Sequence, residues 1–203
     1  APHPPRPRRA LRFPTSHPFF VTSDTQVVID RTRLWLERAV IGLNLCPFAK
    51  AVHVKGQIHF AVSEATQEAD LLDDLEREID ELMARPADER DTTLLMAPSL
   101  LDDFLDFNAF ITRAQRLISR MRLAGVLQLA SFHPDFRFGD LDAADIANFT
   151  NRAPYPTLHL LREDSVSRAT EAFPEAERIY EANIERLRAL GPDGWRALGV
   201  ERP

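Results

Sequence analysis

The sequence predicts an α/β fold: a four-stranded, mostly parallel or mixed sheet flanked by helices, with further helices at the C-terminus. Three observations support this prediction. Four short apolar segments have the length of strands, at 57–63, 92–98, 126–132 and 157–161. Segments with helical periodicity separate the first three, an alternation that favours parallel pairing of those strands. Two helical segments then close the chain.

The N-terminal part divides into a tail and the start of one domain. Residues 1–21 are rich in proline and arginine and have no period, which is typical of a disordered or loosely packed tail. Residues 22–203 are expected to form a single α/β domain. Ser23 and Gln26 form a capping box, so a helix is expected from there to about Leu45.

The middle of the domain carries signals for two long helices. A loop after Cys46 leads from the first helix to the strand at 57–63. Thr66 is then expected to cap a helix that has a leucine-rich stripe. Ser99 is expected to cap the next helix, and Gly125 is expected to end it.

The orientation of the fourth strand stays open, although we expect it to pair beside the third. A short helix from about residue 142 to 149 and the irregular segment "TNRAPYP" precede this strand. An antiparallel arrangement would bring "NRAPY" beside "HPDF", whereas a parallel one would separate them. A brief helix is then expected from Asp164, and a last one over 175–190, ending at Gly191-Pro192.

Composition excludes several classes of function. The net charge of −6 argues against general nucleic-acid binding. No apolar run approaches the ~18–20 residues of a membrane span, and the first residues lack the apolar core of a secretion signal. Cys46 is the only cysteine, which rules out internal disulfides and a multi-cysteine metal site within one chain. We therefore expect a cytoplasmic protein with a small-molecule ligand.

The segment "FHPDF" carries the first candidate site. His133 and Asp135 lie where a strand ends, which is where open α/β sheets bind ligands. With His159 they have the residue types of a two-histidine, one-carboxylate site, so a divalent metal such as iron or zinc is one interpretation. Asp135 orienting His133 as a general base is another, and a polar turn is a third. His159, inside a strand, also fits a satisfied core histidine.

Two further segments offer chemistry. Cys46 follows a helix and precedes proline, so it is either a small core residue or a nucleophile. A thiolate would need a nearby cation, because the expected helix C-terminus disfavours it. The loop "NRAPYP" provides Asn151, Arg152 and Tyr155, and the arginine fork suits carboxylate or phosphate. A structural salt bridge is the alternative for that arginine.

Four segments together resemble a bacterial family called domain of unknown function 1415, over about residues 24–190. They are "WLERAVIGLNLCPFAKAVHVKGQI", "FLDFNAF", "GVLQLASFHPDFRF" and "NRAPYPTLHLLRE". The resemblance implies no particular activity. It implies which positions belong to the family's signature segments: Cys46, Pro47, His53, Lys55, Gly56, His133, Pro134, Asp135, Asn151, Arg152, Tyr155, His159 and Glu163.

The function expected from these features is an enzyme acting on a small, anionic metabolite in a polar cleft. His133 and Asp135 would be the acid–base or metal-holding pair. The substrate would be bound by Asn151, Arg152, Tyr155, Lys55 and His53. The alternatives are a non-catalytic ligand-binding or protein-interaction domain, and a hydrolase or transferase that depends on the Cys46 thiol. An enzyme would place His133, Arg152, Tyr155 and Cys46 around one pocket.

Overall fold

A computed structural model describes residues 23–172 and 178–202 of the chain. The expected tail at 1–21 and the start of the expected helix at 175–190 lie outside these residues. The helices are α1 (Ser23–Trp35), α2 (Ala49–Val54), α3 (Glu68–Met83), α4 (Phe104–Arg120), α5 (Glu163–Glu171) and α6 (Ile179–Ala197). The strands are β1 (Ile58–Val62), β2 (Thr92–Met96), β3 (Leu127–Phe132) and β4 (Thr157–Arg162). A π-helical segment (Leu36–Ile41) continues α1, and a 3-10 helix (Ile146–Asn151) precedes β4.

The four strands form one mixed sheet, which confirms the predicted fold class, and their order is β1-β2-β4-β3. β1 and β2 are parallel, and β4 is antiparallel to both β2 and β3. The prediction that β4 lies beside β3 is confirmed. The expected parallel pairing of the first three strands is wrong for β2 and β3, because β4 inserts between them and takes both sets of hydrogen bonds.

One face of the sheet, here the α3/α4 face, packs against those two helices. The leucine-rich stripe of α3 and the aromatic side of α4 are fully buried there, with Leu75, Ile79, Phe107 and Phe110 all at 1% exposure or less. Strand alternation sends Leu95, Leu158 and Leu160 to this face. The result is the largest apolar core of the domain.

The opposite face, here the α1 face, carries a second apolar layer. It presents Ile58, Phe60, Leu94, Ala130, Phe132 and His159, which are in register across the four strands. The layer above it is built by α1, the π-helical segment, the 3-10 helix and α6, and its buried side chains include Trp35, Leu187 and Trp195. The domain is therefore a sheet between two layers of helices.

Several element boundaries differ from the predicted ones. The residue that caps α4 is Asp103, whose carboxylate accepts hydrogen bonds from the backbone N–H groups of Leu105 and Asp106, and Ser99 lies in the preceding loop. Gln67, with no side-chain cap, precedes α3. The expected loop after Cys46 contains α2. At Gly191, whose φ is 68°, the last helix kinks and then continues to Ala197. No helix in the described ranges is both long and apolar enough to cross a membrane.

Candidate functional site

A cavity of about 540 Å³ lies between the α1 face of the sheet and the helices around it. The floor is formed by strand residues, and the walls come from the π-helical segment, α2 and α5. Its lining is apolar apart from a few groups, which are Cys46, Asp91, Thr92, Gln128, His159 and Ser165. Cavities of this size and character are typical of small-molecule sites, which bury an apolar ligand around few polar groups.

The side chains around the cavity are positioned by the alternation of the strands and by the π-helical segment after α1. Ala130, Phe132 and His159 point to the α1 face because their strands pair in register there, Ala130 opposite His159. Trp35 ends α1 where the helix widens into its π-helical segment, and its ring packs edge-on against Phe132 at 5.1 Å between centroids. Helical segments of this kind frequently occur at functional sites.

His159 provides the cavity with a neutral imidazole. Its Nε2 lies 2.7 Å from the hydroxyl oxygen of Thr92, and that hydroxyl donates to the backbone oxygen of Leu160 at 2.6 Å. Burial lowers the pKa of His159 from 6.5 to about 4, because an imidazolium would lose its hydration there. His159 is therefore uncharged at neutral pH.

Cys46 lines the same cavity as a protonated thiol. It lies between the π-helical segment and the start of α2, where the backbone N–H groups of Phe48 and Ala49 lower its pKa. Burial has the larger effect and raises the thiol pKa above its ordinary value. The sequence predicted a disfavoured thiolate because of a helix C-terminus. The thiolate is disfavoured, but the cause is burial, and the backbone N–H groups beside the sulfur belong to the start of α2.

His133, in contrast, is part of the scaffold. It is fully buried on the α3/α4 face, with its ring packed near Phe104 and Phe107 at 5.5 and 5.0 Å between centroids. Its Nε2 lies 2.9 Å from the carbonyl oxygen of Leu101, and its Nδ1 accepts the backbone N–H of Asp135 at 3.0 Å. A carbonyl only accepts, so Nε2 carries the proton. Both ring nitrogens are thus occupied by backbone groups, and burial lowers the pKa of the imidazole.

Asp135 and Arg152 line a second, smaller cavity of about 230 Å³, together with Trp195, Glu201 and Arg202. The guanidinium of Arg152 lies over the Phe149 ring at 4.1 Å. Its Nε donates to the carbonyl oxygen of Phe136 at 3.3 Å, which joins the "NRAPY" and "HPDF" segments as an antiparallel β4 predicts. Partial burial lowers the pKa of Arg152.

The remaining predicted substrate residues lie elsewhere. Tyr155 is buried in an apolar cluster with Val28 and Met96. Asn151 donates to the carbonyl oxygen of Ser131 at 3.2 Å and so braces the end of β3. His53 lies 3.2 Å from Glu37, and Lys55 is exposed after α2.

The structure therefore brings together Cys46 with His159, and Asp135 with Arg152, but it does not gather the predicted residues around one pocket. The three expected metal ligands do not converge. His133 and His159 point to opposite faces of the sheet, and Asp135 approaches His133 with its backbone. Within residues 23–172 and 178–202, no group of three or more His, Cys, Asp or Glu side chains is arranged to hold a metal ion.

Sequence reasoning missed the residues that shape the main cavity. Thr92 begins a buried strand and reads as ordinary strand composition, and Trp35, Phe132 and Ala130 read as core. The available signal was the alternation of β3 and β4, because an antiparallel pair places Phe132, Ala130 and His159 on one face. That signal depends on the orientation of β4, which the sequence left open.

Comparison with known proteins identifies a family. The model of a protein family described as "Protein of unknown function (DUF1415)" matches residues 27–197, most of the chain. No curated protein and no solved structure matches the chain.

Proposed function

We propose that this chain, which belongs to the DUF1415 family, binds an apolar small molecule in the 540 Å³ cavity above the α1 face of the sheet. The cavity itself carries the proposal. It combines a volume in the range of ligand sites, an aromatic lining and a small number of polar groups at fixed positions.

The lining favours an uncharged ligand. Among the described residues that border this cavity there is no lysine and no arginine, and the single carboxylate, Asp91, accepts a hydrogen bond from Ser165 at 2.5 Å. An anion placed here would be desolvated without a cationic partner, which is costly. The anionic metabolite expected from the sequence is therefore not the ligand that we propose for this cavity.

The state of Cys46 favours binding over thiol chemistry. A Cys–His nucleophile works as a thiolate activated by a base. Here burial raises the pKa of the thiol and lowers that of His159 to about 4, so proton transfer from sulfur to imidazole is strongly uphill. The thiol and the imidazole are better suited to contacting a ligand than to attacking one.

The proposal is tested with N-phenyl-1-naphthylamine, a neutral fluorescent probe whose emission rises in apolar sites. We expect saturable binding to the wild-type chain. Ala169 on α5 lines the cavity, so Ala169→Phe fills it from a wall and should weaken binding by about tenfold or more. The matched control is Ser167→Phe, an exposed position on the same helix that does not border the cavity.

Equal probe affinity in wild type, Ala169→Phe and Ser167→Phe would overturn the assignment to this cavity. Absence of saturable binding to the folded wild-type chain would overturn it as well. Circular dichroism of each variant establishes that the comparison is made between folded proteins.

The small cavity beside Arg152 is a second candidate site, and it suits the anionic metabolite expected from the sequence. The observation in its favour is that two arginines, Arg152 and Arg202, border this cavity, and they face the carboxylates of Asp135 and Glu201 across it. Asp135 already acts on the charge of Arg152, so an anion bound there competes with that carboxylate. We propose that it binds a small carboxylate or phosphate through the planar fork of Arg152.

The indole N–H resonance of Trp195, which borders this cavity, reports on binding there. Titration with succinate and with phosphate should shift that resonance in wild type and in Arg116→Met, an exposed control on α4. It should not shift in Arg152→Met. An unmoved resonance in wild type would remove this candidate.

A further inference from the structure

We propose that the ligand of the main cavity presents a hydrogen-bond donor, such as a hydroxyl or N–H group on an apolar ring, to Nδ1 of His159. This inference rests on the proposed function and adds the polarity of the ligand to it. It follows from the hydrogen bonds around Thr92, taken one at a time.

The first step fixes the hydroxyl hydrogen of Thr92. This hydroxyl lies 2.6 Å from the carbonyl oxygen of Leu160 and 2.7 Å from Nε2 of His159. A carbonyl oxygen only accepts and a hydroxyl has one hydrogen, so that hydrogen goes to Leu160. The Thr92 oxygen is left with lone pairs for its other neighbour.

The second step fixes the tautomer of His159. Since Thr92 has no hydrogen left, the contact at 2.7 Å requires a proton on Nε2 of the imidazole. A neutral imidazole carries one N–H, and His159 is neutral because burial lowers its pKa to about 4. Nδ1 therefore holds a lone pair and has no proton.

The third step locates that lone pair. Within the described ranges, Nδ1 of His159 has no hydrogen-bond partner, and the one buried side-chain atom without a partner is the hydroxyl of Thr150. Nδ1 thus remains accessible to solvent-sized groups, and His159 borders the main cavity. An acceptor in an apolar cavity is best matched by a donor, because a ligand without one leaves it unpaired.

The hydroxyl groups of the lining are already paired with protein acceptors. Ser165 directs its hydroxyl to Asp91 at 2.5 Å, and Thr92 is committed as described. Cys46 offers a weak S–H donor. The amide oxygen of Gln128 and the second carboxylate oxygen of Asp91 are further acceptors at this lining, and the His159→Phe variant separates them from His159.

The test compares 1-naphthol with 1-methoxynaphthalene, which has the same ring but lacks the donor. Each is used to displace N-phenyl-1-naphthylamine from the wild-type chain. The methyl ether is the more apolar compound, so hydrophobicity alone would favour it. We expect 1-naphthol to bind about fivefold more tightly, the factor that one added hydrogen bond supplies.

Two variants trace the preference to its source. His159→Phe keeps an aromatic ring and removes the acceptor, so both compounds should bind with similar affinity. Thr92→Val removes the oxygen that holds the proton on Nε2, so the imidazole can take the other tautomer and the preference should shrink. His53→Phe, a partly exposed histidine outside this cavity, should leave the preference unchanged.

Equal affinities for the two compounds in wild type would overturn the inference while leaving the proposed cavity in place. A preference for 1-naphthol that persists in His159→Phe would also overturn it. If neither compound displaces the probe and the probe itself does not bind, the proposed function fails, and this inference fails with it.

Discussion

Replacing His133 should destabilise the fold, because its ring joins two loops through a hydrogen bond at each of its nitrogen atoms. The Nε2–H donates to Leu101 in the loop between β2 and α4, and Nδ1 accepts from Asp135 in the loop after β3. Leu101 has a φ of 63°, a left-handed conformation that costs free energy for a residue other than glycine. The histidine holds that conformation in place.

The size of the effect follows from these contacts. In His133→Ala the buried carbonyl of Leu101 loses its partner, at roughly 1–3 kcal/mol, and the part-buried N–H of Asp135 loses its partner at a smaller cost. The ring also leaves a void beside Phe104 and Phe107. We expect the free energy of unfolding to fall by about 3–5 kcal/mol, a large part of the ~5–15 kcal/mol typical of a domain.

Urea unfolding, followed by far-ultraviolet circular dichroism, measures this change. His133→Phe keeps the ring volume and loses both hydrogen bonds, so it should cost about 2–4 kcal/mol. His53→Ala is the control, since its contact with Glu37 is at the surface and such pairs contribute less than about 1 kcal/mol.

The reasoning would be refuted by a His133→Ala protein that unfolds at the wild-type urea concentration. If such a protein also lost ligand binding at either cavity, His133 would be a functional residue, as the sequence first suggested. If it kept binding, the two hydrogen bonds would simply be worth little.

Three further predictions follow from burial and packing. The free energy of unfolding should fall as the pH drops from 6.5 toward 4, because His159 binds a proton in the unfolded chain but not in the folded one. Urea unfolding at pH 7 and pH 4 measures this loss. His159→Gln should remove about 3 kcal/mol of it, whereas the control His53→Gln should not. Gly42→Ala should cost about 1–3 kcal/mol in the same assay, since a Cβ there would overlap the carbonyl oxygen of Arg38, and a glycine with open space around it, Gly139, provides the control. Arg90→Ala should cost about 3–5 kcal/mol because it removes the buried guanidinium from the Glu78 carboxylate and leaves His59, at 3.7 Å, as its partner. Arg113→Ala, at an exposed ion pair, should cost less than about 1 kcal/mol, and equal costs would contradict the role of burial.

The fold was largely predictable because its main signals are local. Each strand is a short apolar run with clear ends, and the stripes of α3 and α4 follow the helical period. Strand order is not a local property. The insertion of β4 between β2 and β3 depends on which hydrogen-bonded edge the returning chain meets, and periodicity carries no information about that choice. The π-helical segment was missed for the same reason, since its sequence reads as an ordinary amphipathic helix.

The candidate site was predictable only in part. Cys46 and His159 were singled out by residue type, and both line the main cavity. His133 was singled out by the same reasoning and is a scaffold residue, because its side chain falls on the other face of the sheet from His159. Residue type indicates what a side chain could do, whereas the partners of its polar atoms decide what it does. For His133 those partners are two backbone groups that sequence cannot reveal.

The scaffold around "FHPDF" still bears on ligand binding, because it fixes one end of the main cavity. The backbone N–H of His133 donates to the carbonyl oxygen of Asn151 at 3.1 Å, and the indole N–H of Trp35 donates to that of Arg152 at 2.8 Å. The first bond closes the connection between β3 and β4, and the second joins α1 to it, which holds Trp35 against Phe132. Because these hydrogen bonds already hold the cavity residues in place, the residues lose little conformational entropy when a ligand binds. More of the free energy gained by burying the ligand then contributes to its affinity. His133 then supports binding from outside the main cavity, whereas Phe132 of the same motif lines it.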